Sequence, residues 1–252
     1  MAAGPLALLW DVDGTLADTE LDGHRHAFNR AFAEAGLPWH WDVGLYQELL
    51  RISGGRERIR AFLQQVEAAP PDPERVERLQ AAKQRHYNAL VQAGALRLRP
   101  GVERLMRAAA GQGLRQAIVT TSSRAAVQVL LERLLPEHAS LLEFWVCGED
   151  VPRKKPDPAA YRQALEQLQL PAAAALAVED SGNGVAAAAA AGLAVLVTRS
   201  SASAVEPPQA FAAAAAELDQ LGGPGQPCTV LRGPACPGGS VTLSYLQQLV
   251  SP

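Results

Sequence analysis

A short apolar run that ends in two aspartates constrains the fold of this chain more than any other stretch. Residues 6–10 carry no polar side chain, and Asp11-Val12-Asp13-Gly14-Thr15 follows at once. An apolar run bounded by turn residues predicts a strand that is buried on both faces of a parallel sheet. Because side chains alternate along a strand, Asp11 and Asp13 should share one face at its carboxyl end. Ligands of open α/β sheets bind at that end.

Two carboxylates placed so close together repel each other unless a cation lies between them. Mg²⁺ is a hard divalent cation that takes oxygen ligands and pairs with phosphate. Asp11 and Asp13 are therefore candidate metal ligands. The alternative is that Asp-x-Asp-Gly is only a strand end that enters a turn, because Asp and Gly both favour turns. Partners farther along the chain decide between these interpretations.

Length and composition limit the classes of protein open to this chain. Its 252 residues suffice for one large domain, or for a core with a smaller insert, and 48% hydrophobic with 19% charged residues is ordinary for a globular protein. The formal net charge of −3 gives no reason to expect nucleic acid as a partner. The first residues include neither a basic region nor a long apolar segment, so we expect no signal peptide and no membrane partner.

The cysteines favour a reducing compartment. Cys147, Cys228 and Cys236 show no metal-binding spacing, and an odd number implies no disulfide framework. We expect a cytoplasmic protein that is a monomer.

A helical block, residues 17–98, separates the first strand from the rest of the chain. Apolar residues at helical spacing predict three helices, over 24–35, 42–51 and 56–66. A fourth helix has Asp72 as its N-cap and ends before Gly94. No strand pattern occurs in the block. We predict an all-helical cap domain inserted into an α/β core formed by residues 1–16 and 99–252.

Strands and helices alternate after residue 99. Predicted strands lie at 116–120, 144–147, 175–178 and 193–197, and predicted helices at 102–110, 124–134, 157–169 and 185–191. This alternation predicts right-handed βαβ units and a Rossmann-like parallel sheet. We interpret the alanine runs at 186–191 and 212–216 as helix faces, and the Gly/Pro-rich segment 222–239 as a loop.

Hydroxyl and ammonium groups follow two other predicted strands. Thr121 and Ser122 stand at a helix start, where hydroxyls and free backbone N–H groups form an anion site. The same residue types suit an N-cap, and the two roles are compatible. Lys155 follows Lys154 and precedes Pro156, and prolines restrict the backbone around it. A lysine fixed there can neutralise a carboxylate and a phosphoryl group, whereas the alternative is a solvated loop lysine.

A second acidic cluster completes the pattern. Glu179 and Asp180 follow the strand at 175–178 and resemble Asp11 and Asp13 in their placement. Each cluster follows its own strand, so all of them should meet at one edge of the sheet. This conjunction favours a site that handles Mg²⁺ and phosphate over an unrelated set of turns.

Taken in order, the clusters resemble the motifs of the haloacid dehalogenase superfamily of phosphotransferases. Its four motifs match Asp11-Val12-Asp13-Gly14-Thr15, Thr121, Lys155-Pro156 and Glu179-Asp180. The insert resembles the helical cap of the subgroup that includes β-phosphoglucomutase and phosphoglycolate phosphatase. Stretches similar to the CbbY proteins, which dephosphorylate the Rubisco inhibitor xylulose 1,5-bisphosphate, lie at 18–29, 53–59 and 98–102.

The resemblance implies a role for each matching residue. Asp11 would attack phosphorus and form an aspartyl-phosphate. Asp13 would protonate the leaving sugar oxygen and then deprotonate the hydrolytic water. Thr121 and the N–H of Ser122 would hold the phosphoryl oxygens, and Lys155 would spread its charge over Asp11 and the phosphate.

The implied cofactor is Mg²⁺, held by Asp11, the backbone carbonyl of Asp13 and Asp180, with Glu179 acting through water or from behind these ligands. The implied reaction is hydrolysis of a sugar phosphate or bisphosphate, with xylulose 1,5-bisphosphate as the expected substrate. The alternatives are a mutase of the β-phosphoglucomutase type and a phosphatase of another small phosphate ester. Mutase and phosphatase differ only in whether sugar or water attacks the acyl-phosphate.

The cap carries the candidate residues for substrate specificity. Lys83 lies in an apolar helix stripe, where it either snorkels to water or points at an anion in the cleft. Arg56 follows Gly54-Gly55, a break that lets the backbone approach a ligand, and a plain surface arginine is the alternative. His24 and Arg25 lie where the substrate loop of the resembled family enters the cap.

Overall fold

A seven-stranded sheet forms the centre of the protein. The computed structural model describes residues 7–250, apart from the side chains of 138 and 139. The strands are β1 Ala7–Trp10, β2 Arg115–Val119, β3 Phe144–Val146, β4 Ala175–Glu179, β5 Ala194–Thr198, β6 Ala216–Leu218 and β7 Val230–Arg232. Their order across the sheet is β3-β2-β1-β4-β5-β6-β7, and neighbours run parallel except β6 and β7. The predicted α/β, mostly parallel core is confirmed.

The first strand lies at the middle of this sheet and is buried throughout. Trp10, its last residue, lies opposite Ile118 of β2 and Val178 of β4, so the three strands end level with one another. The register therefore brings the residues after each strand to one edge, as the sequence predicts. The Trp10 indole N–H donates to Gln116 Oε1 at 3.0 Å, which satisfies a polar group that burial would otherwise leave unpaired.

Helices cover both faces of the sheet. In the core they are α5 Val102–Gly111, α6 Arg124–Leu134, α7 His138–Leu141, α8 Ala159–Leu168, α9 Gly182–Ala190 and α10 Leu243–Val250. Alternate β1 residues face opposite ways: Leu8 packs in the cluster that includes Leu105 of α5, and Leu9 in the one that includes Ala164 of α8. This arrangement explains why the strand lacks polar residues on either face. In the described residues no helix has both the length and the apolar character of a membrane span.

The inserted block is helical, as predicted. Its helices are α1 Arg25–Glu34, α2 Val43–Leu49, α3 Gly55–Glu67 and α4 Pro73–Gln92, and a π-helical turn at Glu20–His24 precedes them. Asp72 caps α4 by accepting from the Glu74 N–H at 3.0 Å. An aromatic cluster around Phe32 and Trp41, separate from the core clusters, holds the block together. Ala17 and Leu98 form an isolated antiparallel bridge, so the segment that enters the helical block lies beside the segment that leaves it. The domain boundaries themselves stay a prediction.

Two assignments near the C-terminus are wrong. Residues 212–216 form no helix: a turn leads into β6, which pairs with β5. Alanine has the highest helix propensity, but its advantage over most residues is below about 1 kcal/mol each, and pairing with β5 overrides it. The segment 222–239 is not only loop, because it contributes β7, which pairs antiparallel with β6. The helix α10 was not predicted at all.

Arg99 fastens the loop after β1 to the segments after β5 and β6. Its guanidinium donates to the carbonyl oxygens of Gly14 at 2.5 Å, Thr198 at 2.9 Å, Arg199 at 2.6 Å and Asp219 at 2.7 Å. The side chain is buried, so no water replaces it as donor. One arginine therefore satisfies carbonyl groups of three segments at once.

We expect Arg99→Met to lower the free energy of unfolding by about 3 kcal/mol or more, because several buried carbonyls lose a charged donor. The measurement is urea unfolding followed by circular dichroism. Arg107→Met is the control, since Arg107 is exposed and pairs with Glu103 and Glu137 on the surface. Its loss should cost less than about 1 kcal/mol. Equal destabilisation by both variants would contradict this role of Arg99.

Candidate active site

A cavity of about 510 Å³ opens where β1, β2 and β4 end. Residues from all the predicted strand-end clusters line it, namely Asp11, Asp13, Thr121, Lys155 and Asp180. The cap closes it from the other side with Glu20 and Arg58. The sequence clusters therefore meet at one site, which lies between core and cap.

Lys155 holds two carboxylates together at the floor of this cavity. Its Nζ donates to Asp11 Oδ1 at 2.8 Å, to Glu179 Oε1 at 2.6 Å and to the Val119 carbonyl at 2.7 Å. These contacts use all three of its protons. Although burial opposes its charge, the Asp11 and Glu179 carboxylates hold the pKa of Lys155 above its ordinary value. Lys155 is thus a fixed buried cation, and the solvated-loop alternative does not apply.

Asp11 remains short of positive charge despite this contact. Thr15 Oγ1 donates to its Oδ2 at 3.0 Å, while Lys155 takes Oδ1. Burial raises the pKa of Asp11 to about 7, with Lys155 opposing and the neighbouring Glu179 carboxylate adding to the shift. A further cation beside Asp11 would therefore stabilise its ionised form.

The acidic residues present fit a divalent cation. Asp11, Glu179 and Asp180 are buried, and each offers a carboxylate oxygen within 4.8 Å of the others. Glu179 Oε2 has no hydrogen-bond partner, and burial together with the Asp11 charge raises the pKa of Asp180 well above its ordinary value. Gly14 belongs to the same site, because a Cβ there would lie 2.0 Å from Asp180 Oδ2. A hard cation with oxygen ligands would relieve this repulsion.

The Asp13 carboxylate turns away from that cluster and toward the cap. It accepts hydrogen bonds from Ser122 Oγ, from Thr19 Oγ1 at 2.5 Å and from His24 Nε2 at 2.9 Å. Although burial opposes ionisation, His24 and the two hydroxyls hold the pKa of Asp13 far below its ordinary value. Its carboxylate is not one of the three clustered metal-ligand groups. Metal binding through Asp13 stays a prediction.

A lysine from the cap stands behind His24. Lys83 Nζ lies 2.9 Å from His24 Nδ1 and donates to it, so the ring presents its Nε2 proton to Asp13. Only 5% of Lys83 is exposed, which rules out snorkelling. Burial lowers the pKa of Lys83 to about 8, although the Glu20 and Asp13 carboxylates oppose that shift. Lys83 and His24 therefore form a chain of polar contacts from the cap to Asp13.

The other predicted substrate residues lie in different surroundings. Arg56 is exposed, forms a 2.7 Å ion pair with Glu77, and lines a small side cavity of about 70 Å³ that Lys83 also lines. Arg25 is directed to the Trp41 carbonyl at 3.5 Å and is not part of the lining of the main cavity. The Ser122 N–H, expected to hold phosphoryl oxygens, bonds to Thr120 Oγ1 at 3.1 Å. The binding roles of all three stay predictions.

Three polar residues that the sequence did not single out also shape the site. Tyr161 donates to Glu179 Oε1 at 2.5 Å, beneath the metal-ligand cluster. Arg58 and Glu20 face the cavity from the cap and meet at the Tyr46 hydroxyl, which donates to Glu20 Oε2 at 2.5 Å. Glu20 lies in the CbbY-like stretch 18–29, which was a usable signal. Arg58 lies in the CbbY-like stretch 53–59, which was a signal as well, although its carbonyl partners are ones that only the fold brings near.

Known proteins resemble this chain over most of its length. The model of the haloacid dehalogenase-like hydrolase family matches residues 6–192. CbbY from Cupriavidus necator is 43% identical over 226 residues, which cover 88% of this chain and 87% of that protein. A CBBY-like protein from Arabidopsis thaliana is 42% identical, covering 87% of this chain and 70% of its own.

Solved structures of CbbY also resemble this chain in fold. CbbY from Rhodobacter sphaeroides in complex with phosphate superposes with a TM-score of 0.79 at 39% identity, over 86% of this chain and 94% of that one. An aspartate-to-asparagine variant of that protein, solved in complex with xylulose-(1,5)bisphosphate, gives a TM-score of 0.79 at 38% identity with the same coverage.

Mg²⁺ should raise the melting temperature of the protein, and Asp180→Asn should remove most of that rise. An ion at a hundredfold its Kd stabilises a folded protein by about 2.7 kcal/mol. Without metal, Asp180→Asn should be at least as stable as the parent, because it removes a charge that burial and Asp11 disfavour. Differential scanning fluorimetry with and without MgCl₂ measures both effects. Glu48→Gln, an exposed change at the cavity rim, is the control; an undiminished Mg²⁺ response of Asp180→Asn contradicts the assignment.

Proposed function

Since this chain belongs to the haloacid dehalogenase-like hydrolase family and is a phosphatase, we propose that it hydrolyses a sugar bisphosphate, xylulose 1,5-bisphosphate, through an aspartyl-phosphate on Asp11. The observation that carries the proposal is that two carboxylates in one cavity have different surroundings, which raise the pKa of Asp11 and lower the pKa of Asp13. Asp11 lies among metal-ligand acids and Lys155, whereas Asp13 lies among hydroxyls and the His24 ring.

Asp11 is placed to act as the nucleophile. Lys155 and Thr15 fix its two oxygens from behind, and the carboxylate lines the main cavity. In the first half-reaction an Asp11 oxygen bonds to phosphorus, and the bond from phosphorus to the sugar oxygen breaks. Thr121, which also lines the cavity, is available to hold a phosphoryl oxygen through its hydroxyl.

Asp13 is placed to move protons. The first half-reaction needs its protonated form, which gives a proton to the leaving sugar oxygen; the negative charge of the substrate phosphate favours that form. The second half-reaction needs the ionised form, which takes a proton from the water that attacks the acyl-phosphate. His24, Thr19 and Ser122 stabilise the ionised form and orient the carboxylate.

Positive charge at the floor of the cavity would neutralise the phosphoryl group during transfer. Mg²⁺ held by Asp11, Glu179 and Asp180 would neutralise phosphoryl oxygens as they approach the buried carboxylates. Lys155 supplies permanent charge beside Asp11. Charge neutralisation and positioning are the main needs of phosphoryl transfer.

The cap offers cations to a second phosphate. One phosphate of the substrate must lie at Asp11. If the other end of the sugar were neutral, it would offer no anion for Lys83 and Arg56 to bind. Both line the side cavity next to Ser122. Arg56 would have to exchange Glu77 for the phosphate, whereas Lys83 is already buried. Charge-assisted hydrogen bonds of this kind favour a bisphosphate over a monophosphate.

We expect phosphate release from xylulose 1,5-bisphosphate at a higher kcat/KM than from the matching monophosphates. Arg56→Gln should lower kcat/KM for the bisphosphate by roughly tenfold or more, because a contact to a charged group is worth about 1.5–3 kcal/mol, while monophosphate turnover should change little. Arg56 is the sharper test, since Lys83 also contacts His24.

Two controls accompany that assay. Arg85→Gln removes a cap-surface arginine that pairs with Glu34 and should leave both substrates unaffected. Asp11→Asn should abolish turnover of either substrate. Product analysis separates the alternatives: an isomerised sugar phosphate without free phosphate would identify a mutase, and an unchanged substrate ratio for Arg56→Gln would contradict the second-phosphate role.

A further inference from the structure

A charged contact joins the cap to the core beside the active site. Lys154, from the core, donates to both oxygens of Glu57 in α3, with Nζ at 2.7 Å and 2.8 Å. The cap–core contacts of Gln47 and Asn183, which line the main cavity, are neutral and longer. Asn183 reaches the Arg51 carbonyl at 3.2 Å, and Gln47 reaches the Ser201 carbonyl at 3.3 Å.

The pair is better shielded than an ordinary surface ion pair. The side chain of Lys154 is 19% exposed and that of Glu57 is 40% exposed. Although partial burial opposes ionisation, the contact with Lys154 holds the pKa of Glu57 below its ordinary value. The Glu57 carboxylate is therefore ionised at neutral pH, and the Lys154 ammonium meets both of its oxygens.

Two glycines, one from each side, make room for the lysine. A Cβ on Gly54 of the cap would lie 2.5 Å from Lys154 Nζ and 2.2 Å from Glu57 Oε2. A Cβ on Gly148 of the core would lie 3.2 Å from Lys154 Cε and 2.2 Å from the Thr121 carbonyl. A side chain at position 54 would displace the lysine ammonium, whereas one at position 148 would clash mainly with the Thr121 carbonyl. The backbone therefore approaches the ion pair closely on the cap side and leaves little room on the core side.

The pair also lies next to functional groups on both sides. Lys154 precedes Lys155, which holds Asp11, and Glu57 follows Arg56. Separation of Glu57 from Lys154 would move the start of α3 away from the core edge that carries Thr121 and Lys155. The Glu57–Lys154 contact thus couples the position of the cap to the geometry of the site at this point of the cap–core boundary.

We propose that the Glu57–Lys154 ion pair is a latch that holds the cap closed over the core, which makes both of them positioning residues for the reaction. This rests on the proposed function only in that substrate must pass the cap to reach Asp11. Substrate entry and product release require the latch to open, and bound substrate favours the closed state.

The latch predicts a specific pattern in enzyme kinetics. Glu57→Gln and Lys154→Met should each raise KM for xylulose 1,5-bisphosphate by roughly three- to tenfold, the effect of losing one partly shielded ion pair, while kcat does not fall. The double variant should show the same rise as either single variant, because the two residues act through one contact. Glu34→Gln, which breaks an ion pair wholly within the cap, is the matched control and should leave KM unchanged.

Amide hydrogen exchange of the substrate-free protein supplies a second readout that needs no substrate. Segments 51–57 and 148–154 should exchange faster in Glu57→Gln than in the parent, while residues 28–32 of α1 and 76–79 of α4, which lie in the aromatic cluster of the cap, should not change. This result stands even if xylulose 1,5-bisphosphate proves to be the wrong substrate.

Three results would overturn the latch. Additive effects in the double variant mean that the residues act separately. A rise in KM without faster exchange means that one of them contacts substrate instead. Unchanged exchange and unchanged KM in Glu57→Gln mean that the pair is a surface contact only.

Discussion

The contact of Lys155 with Asp11 and Glu179 is the interaction on which the rest of the site depends. Parallel strands that end level place three carboxylates, those of Asp11, Glu179 and Asp180, in a buried space. Burial of unpaired charges costs several kcal/mol each. One lysine does not balance three acids, and the raised pKa values of Asp11 and Asp180 express the remaining deficit. A site built in this way favours a divalent cation and a phosphate together, because each offsets the charge of the other.

The two aspartates of the first motif acquire different properties because different domains surround them. The core controls Asp11 through Lys155 and Thr15. The cap controls Asp13 through Thr19 and His24, and Lys83 fixes the His24 tautomer from behind. The proton transfer that we propose at Asp13 therefore depends on where the cap lies, whereas the surroundings of the proposed nucleophile, Asp11, do not. This division links cap closure, and with it the Glu57–Lys154 contact, to the chemistry at Asp13.

Strand-end chemistry could be predicted from the sequence because it depends on local pattern and on parallel register. An apolar run followed by acids or hydroxyls fixes both the strand and the edge at which Asp11, Thr121, Lys155 and Asp180 meet. Contacts between segments that are distant in the sequence could not be predicted, because no local pattern encodes them. Arg58 lies in the CbbY-like stretch 53–59, but its contacts with Tyr46 and the Leu49 carbonyl are set by tertiary packing. Strand β1 ends at Trp10, so the Asp13 carboxylate follows the loop toward the cap and away from the acidic cluster of Asp11, Glu179 and Asp180. The helix predicted at 212–216 was wrong because an alanine-rich composition does not indicate whether a segment pairs with a neighbouring strand.

The proposed reaction depends on passage of the phosphoryl group through Asp11, and chemical trapping detects that intermediate. Wild-type protein is mixed with excess xylulose 1,5-bisphosphate and Mg²⁺, quenched in acid during turnover, and reduced with borohydride, which converts an acyl-phosphate to an alcohol. Peptide mass spectrometry then locates the reduced residue. The account predicts homoserine at position 11 and unmodified aspartate at position 13. Reduction at another residue, or turnover without any trapped acyl-phosphate, would contradict it.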